Sequence, residues 1–108
     1  MAIHAMIDLE TFDTCPQATV TTIGGVKFDP YSNKEPHSEF YFKLDIDEQD
    51  RLGRTVNQDT LDWWAKQDPH IREEAFGEED RVGLVHFLNH MTKWMVGCLL
   101  YTSPSPRD

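Results

Sequence analysis

The sequence predicts a mixed α/β domain in which a three-stranded antiparallel meander is followed by helices. Between residues 3 and 44, three segments rich in β-branched and aromatic residues show the alternation typical of strands. Beyond residue 57, apolar residues instead recur at helical spacing. With 108 residues, of which 39% are hydrophobic, the chain is long enough for one hydrophobic core.

The predicted strands are Ile3–Leu9, Ala18–Asp29 and Glu39–Leu44. The links between them are short and contain Pro, Asn and Asp, which favour turns, so neighbouring strands are expected to pair antiparallel. Gly24 and Gly25 lie in the middle of the second strand. Glycines at such positions indicate a bulge or a close backbone approach.

Two short helices are predicted next. Asn57 or Asp59 can cap a helix through Thr60–Gln67, because both side chains accept hydrogen bonds from free amides at a helix start. Asp68 is the predicted cap of a second helix, Pro69–Phe76, which has proline at its first position.

A third helix is predicted over Arg81–Met95, opened by Asp80. One side of it is apolar at helical spacing and is expected to cover the sheet. This stripe consists of Leu84, Phe87, Leu88, Met91, Trp94 and Met95. His86 and His90 stand four residues apart, a spacing that can bind zinc, but no cysteine or third histidine lies nearby to complete a zinc shell. A solvated helix face is the favoured interpretation of the two histidines.

Two acids at the end of the first strand are the strongest candidates for chemistry. Asp8 and Glu10 are two residues apart, so their side chains point to the same face of the strand, about 7 Å apart along it. Ile7 and Leu9 would then face the core. Adjacent carboxylates repel each other unless a cation joins them, and Mg²⁺ or Mn²⁺ prefers such oxygen ligands. The pair therefore indicates a metal-dependent phosphodiester site, with two solvated acids as the alternative.

Trp63 and Trp64 are neighbours on the first predicted helix. Adjacent helical positions are about 100° apart, so the two indoles cannot both point straight into one core. One of them is a candidate for stacking on a nucleobase, as aromatic residues do in single-strand binding sites. The alternative places one in the core and the other in a crevice between helices.

Composition limits the classes of protein that fit. The formal net charge of −9 argues against a simple electrostatic nucleic-acid binder. No apolar run approaches the length of a transmembrane helix, and the N-terminus lacks the basic region of a signal peptide. A cytoplasmic protein without a membrane partner is expected, and the sequence does not indicate its oligomeric state.

The last eleven residues, Cys98–Asp108, resemble the in-frame translation of a sequencing-library adapter. On this interpretation residues 1–97 are the N-terminal part of a longer domain and residues 98–108 are a disordered tail. Without that segment Cys15 is the one cysteine left, so no intramolecular disulfide can form, which fits a reducing compartment. A natural Ser/Pro-rich tail is the alternative.

The sequence resembles the DEDD superfamily of 3′–5′ exonucleases, and within it the phage and bacterial exonuclease–exoribonuclease group that includes T-even phage DNA exonuclease A. The matching segments follow one another in order across the chain. They are Met6–Thr11, Ile23–Asp29, Phe40–Tyr41, Gln49, Gly53–Trp64 and Gln67.

This resemblance implies a truncated RNase H-like fold and two-metal hydrolysis with Mg²⁺ or Mn²⁺ at the 3′ end of single-stranded DNA or RNA. Asp8 and Glu10 match the first exonuclease motif, and the resemblance implies that both are metal ligands and catalytic residues. The backbone near Thr11 would lie against the terminal nucleotide. The later metal ligands and the general base, a histidine or tyrosine, have no counterpart, so this chain alone is expected to lack activity.

Two other classes of protein stay open at this point. A haloacid-dehalogenase-like phosphatase also has an aspartate at a strand end, but it requires a second aspartate where Glu10 stands. A non-catalytic interaction module could retain the exonuclease outline. The choice between DNA and RNA depends on contacts to the 2′-hydroxyl and is not decided by the sequence.

Overall fold

The fold is known from a computed structural model that describes residues 3–102, with side chains described for residues 3–98. The described part contains five strands and four helices. The strands are β1 (Ile3–Thr11), β2 (Val20–Phe28), β3 (His37–Leu44), β4 (Arg81–Val82) and β5 (Cys98–Thr102). The helices are α1 (Ile46–Arg51), α2 (Gln58–Ala65), α3 (Pro69–Phe76) and α4 (Leu84–Trp94).

The strands form one sheet in the order β4-β3-β2-β1-β5. β1, β2 and β3 pair antiparallel, whereas β4 pairs parallel with β3 and β5 pairs parallel with β1. The predicted three-stranded meander followed by helices is therefore confirmed, and the mixed α/β sheet is consistent with an RNase H-like fold. The antiparallel hairpin directly after β1 does not fit the βαβ unit expected of a haloacid-dehalogenase-like phosphatase.

The pairing of β2 with β3 is irregular next to the two glycines. The register of β2 against β3 shifts between Gly25 and Lys27. A Cβ atom added at Gly25 would overlap the Phe40 ring and would lie 3.0 Å from Ile7 Cδ1. The close approach, one of the two alternatives predicted for these glycines, is therefore present at Gly25. The extra residue of the register shift lies on β3, because the two steps from Gly25 to Lys27 face three steps from Phe40 to His37.

The C-terminal segment differs from the sequence prediction. Residues 98–102, expected to belong to a disordered tail, form β5, whose backbone pairs with β1 from Ile3↔Cys98 to Ile7↔Thr102. Backbone pairing at an open strand edge satisfies amide and carbonyl groups whatever the side chains are, which explains how this segment can join the sheet. Residues 103–108 lie outside the described part. An adapter origin of residues 98–108 stays a prediction, tested by sequencing the source gene past the codon of Gly97.

One face of the sheet is covered by α4. Its buried residues Phe87 and Trp94 pack on side chains from the three long strands. These partners are Ala5, Ile7, Ile23, Phe40 and Leu44. Leu88, expected in the apolar stripe, is instead 55% exposed.

The helix after β4 begins later than predicted. α4 starts at Leu84, with Gly83 at its N-cap, and Glu48 Oε1 accepts a hydrogen bond of 2.6 Å from the Leu84 amide. Asp80, the predicted opening residue, has a positive φ of 62° and lies in the turn before β4. Glu48 belongs to α1, a short helix that the sequence does not predict. A side chain that is distant in sequence therefore accepts the hydrogen bond that a local N-cap side chain would accept.

The opposite face of the sheet carries α2 and α3. Phe12, Trp64 and Ala75 form a second buried cluster there. Asn57 caps α2 as predicted, because its side chain accepts hydrogen bonds from the Asp59 and Thr60 amides. Within the described residues, no helix is long and apolar enough to cross a membrane.

Candidate functional site

Asp8 and Glu10 project from β1 on the face opposite α4. In the register with β2 they pair with Gly24 and Thr22, respectively. Their odd-numbered neighbour Ile7 is buried in the core below α4, as the alternation predicts. The register then shifts between Glu10 and Thr11, so regular pairing ends directly after the second acid.

A cavity of about 480 Å³ lies between the two acids and the helices α2 and α3. The sheet contributes its floor and the helices contribute its wall. It is lined by Asp8, Glu10, Thr22, Gly24, Tyr41, Trp63, Trp64, Gln67, Ile71, Glu74 and Ala75. The structure thus brings the two predicted acids and both predicted tryptophans to one cavity.

Glu10 is only partly solvated in this cavity. Within the described part of the chain, its Oε2 atom is buried and has no hydrogen-bond partner. Burial, together with the nearby charge of Asp8, raises the pKa of Glu10 from 4.5 to about 7. A carboxylate that is buried without a donor is stabilised by a cation, which lowers the free energy of its charged form.

The donor set fits a hard divalent cation. Asp8 and Glu10 offer carboxylate oxygens, which Mg²⁺ and Mn²⁺ prefer, and the unpartnered Oε2 of Glu10 supplies a lone pair. No cluster of three or more His, Cys, Asp or Glu residues suited to a metal occurs among residues 3–98. Two acids could supply only part of a ligand set for such an ion, and water and substrate oxygens could occupy the remaining positions.

Trp64 stabilises the end of β1. Its side chain is 4% exposed, and its Nε1 donates a hydrogen bond of 2.9 Å to the Thr11 carbonyl. The Thr11 hydroxyl in turn donates to the Asp13 carbonyl at 2.7 Å. Trp64 thus fixes the backbone that follows Glu10, and its indole N–H is already used.

Trp63 is the more accessible of the two tryptophans. It is half-buried, lines the cavity, and meets the Trp64 ring edge-to-face with centroids 4.8 Å apart. This arrangement matches the alternative with one tryptophan in the core and the other in a crevice. The crevice here is the cavity that contains the acids.

Sequence reasoning did not assign four polar residues of the cavity to the site, namely Thr22, Tyr41, Gln67 and Glu74. Thr22 lies on β2, Tyr41 on β3 and Glu74 on α3, and Gln67 follows the end of α2. No local pattern links them. The Tyr41 hydroxyl donates a hydrogen bond to Glu74 Oε2. Burial and the neighbouring Glu74 carboxylate raise the pKa of Tyr41 to about 12, so the phenol keeps its proton.

Arg81 holds the helical wall against the sheet. Its guanidinium donates to the carbonyls of Gly77 at 2.6 Å and Ala75 at 2.8 Å, at the end of α3. It also donates to Thr21 and Leu44 carbonyls at 2.9 and 3.0 Å, on β2 and β3. One side chain therefore joins α3 to two strands and fixes the position of Glu74 beside the cavity.

The histidines of α4 lie on the other side of the sheet. His86 and His90 are exposed, as the solvated-face interpretation predicts. Both rings also meet the Phe42 ring edge-to-face, with centroids 6.0 and 5.0 Å away. They belong to the rim of the core that α4 covers and not to the cavity with the two acids.

Comparison with known proteins shows the family of this chain. The family model of the 3′–5′ exoribonuclease Rv2179c-like domain matches residues 3–103, nearly the whole chain, so the chain belongs to the Rv2179c-like exoribonuclease domain family. No curated protein sequence matches the chain. Among solved structures, the chain is similar to the crystal structure of cell-death related nuclease 4 (CRN-4), with 12% identity and a TM-score of 0.47. That match covers 91% of this chain, which spans about a third (34%) of the nuclease.

Proposed function

We propose that this domain is part of a 3′–5′ exonuclease that removes nucleotides from the 3′ end of single-stranded nucleic acid, with RNA favoured by the description of its family. The observation that supports this most is the placement of Asp8 and Glu10 in one cavity with an accessible aromatic ring. Charged oxygen ligands and a stacking surface are what a metal-dependent site for a nucleotide needs.

Asp8 and Glu10 are the proposed metal ligands, and Mg²⁺ or Mn²⁺ is the proposed cofactor. When bound, a pair of such ions activates water and stabilises the leaving oxygen in phosphodiester hydrolysis. The unpartnered Oε2 of Glu10 supports this assignment, because a buried carboxylate oxygen without a donor is costly unless a cation is near. The further ligands and the general base of a complete site are not assigned to residues of this chain.

Trp63 is the proposed platform for the terminal base. It is half-buried and borders the cavity, so one side of its ring can contact a ligand. Trp64 and Thr11 have a different proposed role in substrate binding. Their hydrogen bond holds the backbone beside Glu10, so they position the acids and the edge of the cavity. A cytoplasmic location stays a prediction.

Nucleotide binding by the chain itself tests this proposal. Adenosine monophosphate is titrated into the protein with Mg²⁺ or with EDTA, and tryptophan fluorescence is recorded, because two of the three tryptophans border the cavity. We expect binding that requires Mg²⁺ and is lost in Asp8→Asn and Glu10→Gln. Asp62→Asn is the matched control, since Asp62 is an exposed acid on α2 that is not part of the cavity.

A hydrolysis assay on 5′-labelled single-stranded RNA and DNA accompanies the titration. Shortening from the 3′ end that depends on Mg²⁺ or Mn²⁺ would demonstrate the activity in this chain. Binding without hydrolysis would match the expectation that two carboxylates alone are insufficient for turnover. Nucleotide binding that is equal with Mg²⁺ and with EDTA would contradict the proposal and favour a non-catalytic interaction module.

A further inference from the structure

Tyr41 and Glu74 form a polar pair in the wall of the cavity. Tyr41 comes from β3 and Glu74 from α3, and the phenol donates its proton to Glu74 Oε2. Both side chains border the same cavity as Asp8 and Glu10, and Tyr41 is 54% exposed. The pair is therefore accessible to a ligand that enters between the acids and Trp63.

This pair presents hydrogen-bond acceptors, and no hydrogen-bond donor, to a ligand. The phenolic proton is engaged with Glu74, and with a pKa of about 12 Tyr41 retains that proton at neutral pH. Its oxygen and the carboxylate of Glu74 can then only accept hydrogen bonds. A wall of hydrogen-bond acceptors disfavours a phosphate, whose oxygens also accept, and suits a neutral hydroxyl or amino group.

Stepwise degradation limits which group of the substrate can donate a hydrogen bond to this pair. Base edges differ in their donors, so a contact to a base would favour some nucleotides and slow the enzyme at others. Sugar hydroxyls are the same at every RNA nucleotide. The 2′-hydroxyl is the group that distinguishes RNA from DNA, and it can donate a hydrogen bond.

Resting on the exonuclease function proposed above, we propose that the Glu74–Tyr41 pair accepts a hydrogen bond from a ribose 2′-hydroxyl and so selects RNA over DNA. The geometry around the pair supports such a role. Arg81 donates to the Ala75 carbonyl at 2.8 Å and to the Glu74 carbonyl at 3.4 Å. The backbone that carries Glu74 is thereby held in place, which lowers the cost of ordering the site when the ligand binds.

The test compares adenosine monophosphate with its 2′-deoxy form, titrated into the full chain with Mg²⁺. A hydrogen bond to a charged acceptor predicts about tenfold tighter binding of the ribonucleotide. In Glu74→Ala this preference falls to nearly one because ribonucleotide binding weakens, while 2′-deoxy binding is unchanged. Glu73→Ala is the matched control, since Glu73 is the exposed neighbour outside the cavity, and it keeps the wild-type ratio.

Tyr41→Phe is a second variant, which retains the aromatic ring and removes the hydroxyl. It is expected to lower the ribose preference, while circular dichroism verifies that each variant is folded. Equal binding of the two nucleotides by the wild-type chain would overturn this inference and leave the exonuclease proposal standing. Binding of neither nucleotide would overturn both. A preference for adenosine over uridine monophosphate that disappears in Glu74→Ala, without any ribose preference, would assign the pair to a base amino group instead.

Discussion

Replacing Glu10 with glutamine should stabilise the metal-free protein at alkaline pH. Glutamine has nearly the same shape but no charge, so it removes both the repulsion from Asp8 and the cost of burying a carboxylate. Folding raises the pKa of Glu10 from 4.5 to about 7. Below pH 4.5 the folded and the unfolded chains both carry the proton, and the free energy of unfolding does not depend on this group.

As the pH rises from 4.5 to 7, the unfolded chain releases the proton first and the folded chain retains it. The folded chain thus binds more protons in this window, and the free energy of unfolding falls as the pH rises. At about 1.4 kcal/mol per pKa unit the loss has an upper bound of roughly 3.5 kcal/mol. Because the side chain is partly exposed, screening by water reduces the expected loss to about 1–2 kcal/mol.

Urea unfolding, monitored by tryptophan fluorescence in EDTA, measures this loss. At pH 8, Glu10→Gln should have a free energy of unfolding about 1–2 kcal/mol higher than wild type, and well below pH 4.5 the difference should vanish. Glu35→Gln, an exposed acid between β2 and β3, is the control and should change neither value. A difference that is the same at both pH values, or a destabilised Glu10→Gln protein at pH 8, would show that the Glu10 carboxylate does not destabilise the folded chain at alkaline pH.

Three further predictions concern the framework of the site, and urea unfolding measures each of them. Trp64→Phe should cost about 1–3 kcal/mol, because it leaves the Thr11 carbonyl without its donor; a cost below about 0.5 kcal/mol would show that this hydrogen bond is dispensable. Arg81→Met should cost about 3 kcal/mol or more, since several backbone carbonyls lose their donor at once, and an unchanged stability would contradict its role in joining α3 to the sheet. Gly25→Ala should cost about 1–3 kcal/mol, because the added methyl group overlaps the Phe40 ring on β3. Gly24→Ala should cost less, because the nearest atom would lie 3.6 Å from its added methyl group. Equal costs of the two substitutions would contradict the close approach at Gly25.

The three long strands and the helices α2 and α3 could be predicted because their signals are local. Alternation determined which face of β1 carries Asp8 and Glu10. Asn57 caps α2 as its position suggested, and α3 has the bounds predicted, Pro69–Phe76. Each of these features depends on residues that are close in sequence, so the pattern contains the information.

The features that the sequence analysis missed depend on distant residues. β4 has only two residues, too few for any periodicity, and it exists because its backbone pairs with the end of β3. α1 is six residues long, and its one local signal is Asp45, whose side chain accepts a hydrogen bond from the Glu48 amide. Such a cap is common in turns as well as helices, so it did not identify the helix.

Only part of the site could be predicted, because the remaining residues come together from distant parts of the chain. Asp8 and Glu10 share a face of one strand, which sequence spacing reveals. Tyr41 and Glu74 are thirty-three residues apart along the chain. They meet only because α3 packs on the face of the sheet opposite α4. The sequence also left open which tryptophan would be accessible, since this depends on the hydrogen bond from Trp64 to the end of β1.

The proposed function depends on binding of a divalent metal by the two acids of β1 beside the cavity. Nuclear magnetic resonance with Mn²⁺ tests this binding directly, because a bound Mn²⁺ ion broadens the signals of nearby amides. We expect selective broadening at Asp8, Glu10 and Gly24, which is lost in Glu10→Gln and reversed by excess Mg²⁺. Broadening centred on His86 and His90, or broadening that is unchanged in the variant, would contradict metal binding by the two acids.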